Sequence, residues 1–189
     1  MLVMKTYIGL VGEKGSGKET FVHMLTGLLA HKTIGHIKSS DLLAETLKLW
    51  DLSLTRSNLQ EMAIVLDQGF GKGTVTHGVY ERMKNNPADI IIFDGIRWQT
   101  DAAMLKKFEN SMLVYVTAAL PIRYERTKLR KEKMDESMAS IEQFIQEESV
   151  ATEVDIPAIA KAADVIIHNN GSLEALQEQV KAFSSKIVS

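Results

Sequence analysis

The sequence predicts an α/β protein in which a five-stranded parallel sheet lies between two layers of helices. Two observations carry that expectation. Short apolar runs alternate with longer amphipathic stretches, the pattern left by strands that return through helices to a parallel sheet. The first of these runs, Tyr7-Ile8-Gly9-Leu10-Val11, passes directly into Gly12-Glu13-Lys14-Gly15-Ser16-Gly17-Lys18-Glu19-Thr20, a glycine-rich turn with GxxxxGK spacing ahead of a helix-like segment. The chain is also of a size to form one domain: 189 residues at 45% hydrophobic content can fill a single core, and with only three prolines there is no linker to divide it.

In chain order, strands are expected near residues 5–11, 33–37, 89–93, 112–117 and 165–168. Helices are expected over about 18–30, 42–50 and 59–84, the last broken at 69–73 by its glycines. Four more should cover about 100–108, 122–133, 141–150 and 173–186. Ser140 with Gln143 has the spacing of a capping box, Ser172 after Gly171 can cap the last helix, and Ser57 or Asn58 can cap the helix before Leu59.

Composition narrows the function. The net charge of −2 gives no global attraction to nucleic acid or to an anionic membrane, so phosphate binding has to be local. The absence of cysteine removes disulfides, thiol catalysis and cysteine-zinc sites, and fits a reducing, cytoplasmic setting. Met1-Leu2-Val3-Met4, interrupted by Lys5, does not read as a signal peptide, and no run approaches the roughly 18 apolar residues of a membrane span.

The glycine-rich turn points to a nucleotide. Glycines let the chain curl until successive amides face phosphate oxygens, the following helix adds the positive end of its dipole, and Lys18 supplies a mobile cation. Residues 12–20 are thus the expected ATP-binding loop: Gly12, Glu13, Lys14, Gly15, Ser16, Gly17, Lys18, Glu19 and Thr20. Glu19 stands where a hydroxyl residue commonly touches Mg²⁺, and Thr20 comes one residue later. Magnesium is expected with ATP, and Thr20 and Glu19 are alternative contacts to it.

The pattern GxxGxGKxT resembles adenylate kinase and the related nucleoside monophosphate kinases. In open parallel sheets the ligand lies beyond the carboxyl ends of the strands, so the residues there matter most. After the second run, Lys38-Ser39-Ser40-Asp41 opens a helix; Asp41 either stabilises the helix dipole or orients the nucleophile and accepts its proton. This place resembles both the Thr-Gly-Asp of adenylate kinases, without the arginine that follows there (Ala44 here), and the aspartate of dephospho-coenzyme A kinases. After the third run, Asp94-Gly95-Ile96-Arg97 looks like a shortened Asp-Gly-Phe-Pro-Arg turn of adenylate kinases. It makes Asp94 a candidate to hold magnesium through water and Arg97 a candidate grip on an acceptor phosphate. Arg56 is the candidate to replace the missing arginine.

The basic run from Arg123 to Lys133 puts Arg123, Arg126 and Arg130 on one helical face. Such a run is either a solvated surface or, as in nucleotide kinases, the flank of a lid; on the second reading Arg126 and Arg130 neutralise the transferred phosphoryl. The stretch Ala163-Asp164-Val165-Ile166-Ile167-His168-Asn169 before Gly171-Ser172 resembles the C-terminal stretch of dephospho-coenzyme A kinases, where the turn lies against adenine and would place Asn169 there. The resemblance spans nearly the whole chain. It implies a three-layer α/β/α P-loop NTPase fold with a short helical lid, as one domain over 1–189 with an acceptor-binding helical region at about 39–86 and the lid at about 126–140. It implies a kinase taking ATP and a small phosphorylated acceptor, with no nucleic acid or membrane partner. The acceptor is a nucleoside or deoxynucleoside monophosphate, or else dephospho-coenzyme A; a P-loop ATPase or switch without a small acceptor is the reading from another class. The sequence carries neither the Asn-Lys-x-Asp of guanine switches nor the Leu-Ser-Gly-Gly of transporter ATPases.

Overall fold

A computed structural model describes residues 5–129, 140–149 and 153–188. All five strands form one parallel sheet in the order β2-β3-β1-β4-β5: β1 Thr6–Val11, β2 Ile34–Lys38, β3 Ile90–Ile96, β4 Ser111–Thr117 and β5 Val165–His168. The central strands are near-continuous aliphatic runs because helices cover both of their faces. Ile8, Leu10, Ile92, Val114 and Val116 pack on one side under α1 (Lys18–Leu28) and the C-terminal helix Leu173–Val188, through Phe21, Leu25, Val180 and Phe183. Ile91, Phe93, Ile96 and Leu113 pack on the other, under Val79, Met83, Met104 and Leu105.

The remaining helices are α2 (Ser39–Leu49), α3 (Arg56–Phe70), α4 (Thr74–Asn85), α5 (Gln99–Leu105), α6 (Leu120–Leu129), α7 (Ile141–Glu147) and α8 (Ile156–Ala160), and Leu173–Val188 is α9. The break expected at 69–73 separates α3 from α4, where Asp67 Oδ1 accepts from the amides of Gly73 and Thr74 at 3.1 Å each and so caps α4. The Ser140–Gln143 capping box forms. One local expectation is corrected, and one helix was not expected. The cap of α3 is Thr55, whose hydroxyl accepts from Asn58 N at 3.1 Å, because Ser57 and Asn58 already lie inside the helix. The short helix α8 begins with Pro157 near its N-terminus, and five residues are too few to leave a readable period.

A small satellite core of Leu43, Ala63 and Val75, joined by Leu59, Met62, Leu66 and Trp98, ties α2, α3 and α4 into a layer beside β2 and β3. No helix among the described residues is long and apolar enough to cross a membrane. Residues 130–139, most of the expected lid, lie outside the described residues, and so does Arg130.

Candidate active site: two adjoining clefts at the carboxyl ends of the strands

The glycine-rich loop leaves β1 and wraps the start of α1. Gly17 serves as the N-cap of α1 with φ +96°, a left-handed conformation that costs a side-chain-bearing residue free energy, and an added Cβ would lie 2.2 Å from Asn169 Nδ2. Only glycine fits there. Lys18 Nζ donates to the loop carbonyls of Gly12 at 2.6 Å and Glu13 at 3.2 Å. The Glu13 side chain turns beneath the loop, where its carboxylate accepts from the Tyr115 hydroxyl and from Thr117 Oγ1. Lys14 instead reaches Glu147 Oε2 at 2.8 Å, pinning the loop to α7.

Asn169, buried just past β5, is the loop's second support. Its Nδ2 donates to Ser16 O at 2.9 Å, and its Oδ1 accepts from Arg126 Nη2 at 3.2 Å. Asn169, Arg126, Gly15, Gly17, Thr20, Leu129 and Leu173 line a cleft on this flank of the loop. Among the described residues the buried side-chain polar atoms without a partner are Ser16 Oγ, Arg126 Nη1 and Thr127 Oγ1. Ser16 belongs to the loop, an added Cβ on Gly15 would meet Thr127 Oγ1 at 2.8 Å, and one on Gly17 would meet Arg126 Nη1 at 4.0 Å. Native proteins rarely leave such groups unsatisfied, and their gathering around one loop suits a polar ligand. Burial also lowers the pKa of the Arg126 guanidinium.

On the loop's other flank, Lys18 and Glu19 face Lys38, Ser39, Ser40, Asp94, Gly95 and Arg97 across a second, mostly polar cleft. Asp94 is itself buried near the carboxyl end of β3. Burial opposes its ionisation, but a hydrogen bond from His36 Nε2 at 3.2 Å and the charges of Lys18, His36 and Lys38 outweigh that, and the carboxyl is held below the ordinary aspartate range. Of the two candidate magnesium contacts in the loop, Glu19 shares this cleft with Asp94, whereas Thr20 lines the opposite flank. Asp41 is exposed on the first turn of α2; Ser39 and Ser40 are the residues of that turn that line the cleft.

The chain then bends. Gly95, at φ +101°, falls where the pairing of β3 with β1 shifts register between Leu10 and Val11. The amides of Arg97 and Trp98 beyond it donate to Asp101 Oδ2 at 3.0 and 3.2 Å, and Thr76 donates to Oδ1 at 2.6 Å. Burial raises the Asp101 pKa in spite of those three hydrogen bonds. The bend carries Arg97 toward a third cleft, lined also by Ser39, Ser40, Leu43, Arg56, Leu59 and Trp98.

Arg56 and Arg97, paired by the sequence reading, do lie together. Both close on a residue that reading missed: Glu153 Oε1 accepts from Arg56 Nη2 at 3.3 Å and is ion-paired with Arg97 Nη1, while Glu153 itself is 6% exposed. Protein crowds the Arg97 guanidinium although 37% of the side chain stays open; loss of water, then the charge of Arg56, push its pKa down to about 10. Arg123, on the basic face of α6, is buried and holds Ala118 O, Lys14 O and the Glu148 carboxylate, which makes it a brace between loop and helices. His36 was also missed. It sits mid-strand and carries no motif; only its pairing with Asp94 distinguishes it.

Comparison with solved structures decides the fold. The shikimate kinase of Bacteroides thetaiotaomicron matches with a TM-score of 0.65 at 11% identity, over 97% of this chain and 99% of that one. The shikimate kinase of Acinetobacter baumannii, in complex with shikimate, matches with 0.60 at 16% identity, over 97% and 93%. The chain has the P-loop kinase fold. Within that fold the glycine-rich turn joins β1 to α1. No protein-family model matches. Among curated proteins, the UPF0200 protein of Sulfurisphaera tokodaii is 26% identical over 181 residues, 96% of this chain and 97% of its own, and that of Thermococcus kodakarensis 24% over 185 residues, 95% and 97%.

Proposed function

We propose that the protein is an ATP-dependent phosphotransferase that moves the γ-phosphoryl of ATP to a small anionic acceptor, with a nucleoside or deoxynucleoside monophosphate as the first candidate. The observation that carries this reading is the shared wall of two clefts. Ser39, Ser40 and Arg97 line both the cleft of Lys18 and Asp94 and the cleft of Arg56, Leu43, Leu59 and Trp98. A donor on the phosphate loop and an acceptor beside Trp98 would therefore meet at one edge, which is what in-line transfer requires.

In this reading Lys18 and the loop amides hold the donor phosphates. Arg126 Nη1 and Ser16 Oγ, both without partners, suit those oxygens, and Asn169 and Thr20 line the flank left for the nucleoside end. Among the described residues no cluster of three or more His, Asp or Glu side chains could hold a metal ion by itself; Mg²⁺ arriving with ATP would be held by Asp94 through water, with Glu19 or Thr20 as its loop contact. Bound there, it would neutralise charge on the phosphates. Arg97 and Arg56 receive the acceptor's anion, the apolar wall its body. A proton-accepting role for Asp41 would require its carboxylate to reach the cleft, which in this structure Ser39 and Ser40 line and Asp41 does not. Arg130 and the 126–140 lid would close over the transfer, and residues 39–86 would form the acceptor-binding region.

Glu153 favours a second reading. Its carboxylate offsets the two guanidiniums, which suits an acceptor that attacks through a hydroxyl, as a dephospho-coenzyme A kinase would use. The decisive experiment is acceptor-dependent ADP release with nucleoside monophosphates, deoxynucleoside monophosphates and dephospho-coenzyme A, with Lys18→Ala alongside. Transfer to one acceptor class, abolished in Lys18→Ala, is expected. ADP release that no acceptor stimulates would replace this reading with an ATPase or switch.

A further inference from the structure

The loop cleft contains a second lysine that no sequence motif picks out. Lys38 is the last residue of β2, in register with Asp94 on β3, and its charge is one of those that keep Asp94 ionised. Its Nζ donates to Glu19 Oε1 at 3.3 Å across the mouth of the cleft. The lysine side chain is 31% exposed and the glutamate 59%. An ion pair this open to water contributes little to stability, because solvent screens it and ordering two long side chains costs entropy.

We propose that Lys38 is a catalytic residue of the transfer, leaving Glu19 to bind the phosphoryl group in flight. This rests on the phosphotransferase reading. Lys18 is anchored on the loop carbonyls of Gly12 and Glu13, and Arg97 is committed to Glu153, so each of these cations already has a seat at one end of the cleft. Lys38 lines the same cleft as both, from the end of β2 rather than from the phosphate loop. As the acceptor oxygen forms its bond to the γ-phosphorus, the bond from that phosphorus to the bridging oxygen breaks and its electron pair leaves on ADP. A phosphate acceptor brings no proton to that step; a hydroxyl acceptor releases one to solvent or to a carboxylate of the cleft. Charge on the equatorial oxygens persists throughout, and the Lys38 ammonium, on the wall of the same cleft, stabilises it alongside Lys18. The weak contact to Glu19 is readily exchanged for a multiply charged phosphate.

The test has two parts. By calorimetry, the wild-type protein is expected to prefer the Mg²⁺ complex of the β,γ-imido analogue of ATP over Mg·ADP, and Lys38→Met to lose about tenfold of that preference with ADP affinity unchanged. In turnover with the acceptor found by the screen, kcat of Lys38→Met is expected to fall about 100-fold and Lys38→Arg to recover part of it, with the acceptor KM unmoved. Thermal melts of both variants should match wild type, since Lys38 is partly exposed and its pair weak. Equal loss of ADP and analogue binding would move Lys38 to ground-state donor binding, and wild-type kcat in Lys38→Met would make it a surface ion-pair residue; either overturns the proposal. If wild type transfers to no acceptor, the phosphotransferase reading has failed and the proposal with it, whereas failure confined to Lys38→Met touches the proposal alone.

Discussion

Replacing Glu153 with glutamine should destabilise the protein by about 2–3 kcal/mol, and the structure says why the figure is not smaller. Glu153 is 6% exposed, and one carboxylate oxygen serves two guanidiniums. At the 3.3 Å separation from Arg56, the attraction at an effective dielectric of about 20 is about 5 kcal/mol. Removing the charge also recovers the desolvation that burial imposed, and the arginine side chains, 26% and 37% exposed, retain some water. Those offsets bring the net loss below the roughly 3–5 kcal/mol typical of breaking a fully buried pair. What remains is two like charges without their common anion, already costly enough in the wild type to depress Arg97. For a chain of this length the loss corresponds to a fall in Tm of about 5–10 °C.

Urea unfolding followed by circular dichroism measures it directly. Sulfate should restore much of the loss in Glu153→Gln and little in wild type, because an anion binding only the folded variant stabilises it by mass action. The cycle of Glu153→Gln with Arg97→Met should show a coupling of at least about 1 kcal/mol. A destabilisation under about 0.5 kcal/mol, or strict additivity with Arg97→Met, would refute the idea that Glu153 holds the arginine pair.

Two further outcomes can be checked alongside. Gly17→Ala forces a Cβ to within 2.2 Å of Asn169 Nδ2 at φ +96°, so it should cost about 2–4 kcal/mol in urea unfolding and weaken ATP binding at least about tenfold; unchanged nucleotide affinity would mean that the Asn169 support is dispensable. Asp89 accepts from Thr33 N at 2.9 Å and Thr33 Oγ1 at 2.7 Å, and those hydrogen bonds, the backbone one first, lower its pKa. Its folded pKa lies below its unfolded one, so its contribution to stability is complete above the ordinary aspartate range and lost as pH falls through the depressed value; Asp89→Asn should flatten that part of the acid limb, and an unaltered limb would show that Asp89 does not set it.

The features legible in the sequence are those with a period or a compact motif. The strands of the sheet announced themselves because central parallel strands, buried on both faces, must be uniformly apolar, and the phosphate loop because its glycines answer a backbone requirement. Asp94 and Arg97 were found for the same reason, lying within four residues of a strand end. Glu153 was not, because its partners are Arg56, 97 positions away, and Arg97, and nothing in its neighbourhood marks it as buried. His36 escaped on similar grounds, since a lone histidine in a short strand has no pattern. Asp101 lies in the first turn of a helix, where an acid is common and carries no signal of its own. Only the fold reveals that it accepts two amides from the preceding turn. Charges whose partners come from distant elements are set by tertiary packing, and a sequence displays the residues without the pairing.

That pairing concentrates in the five residues from Asp94 to Trp98. Burial opposes the ionisation of Asp94, and the His36 hydrogen bond with the charges of Lys18 and Lys38 outweighs it; the two lysines also line the cleft and make it attractive to an anion. One residue later the left-handed Gly95 turns the chain, and Asp101 fixes the turn by binding the two amides after it. Trp98 then contributes an apolar wall, and Arg97 reaches the cleft that it shares with Arg56, where Glu153 holds it. An anionic donor and an anionic acceptor would repel each other across so narrow a gap. The turn separates a carboxylate suited to a metal from a guanidinium suited to the acceptor, and each is held by neighbours of opposite charge. A change that relaxes this turn should therefore impair both clefts together, whereas changes at Lys18 or Arg56 should each impair only one.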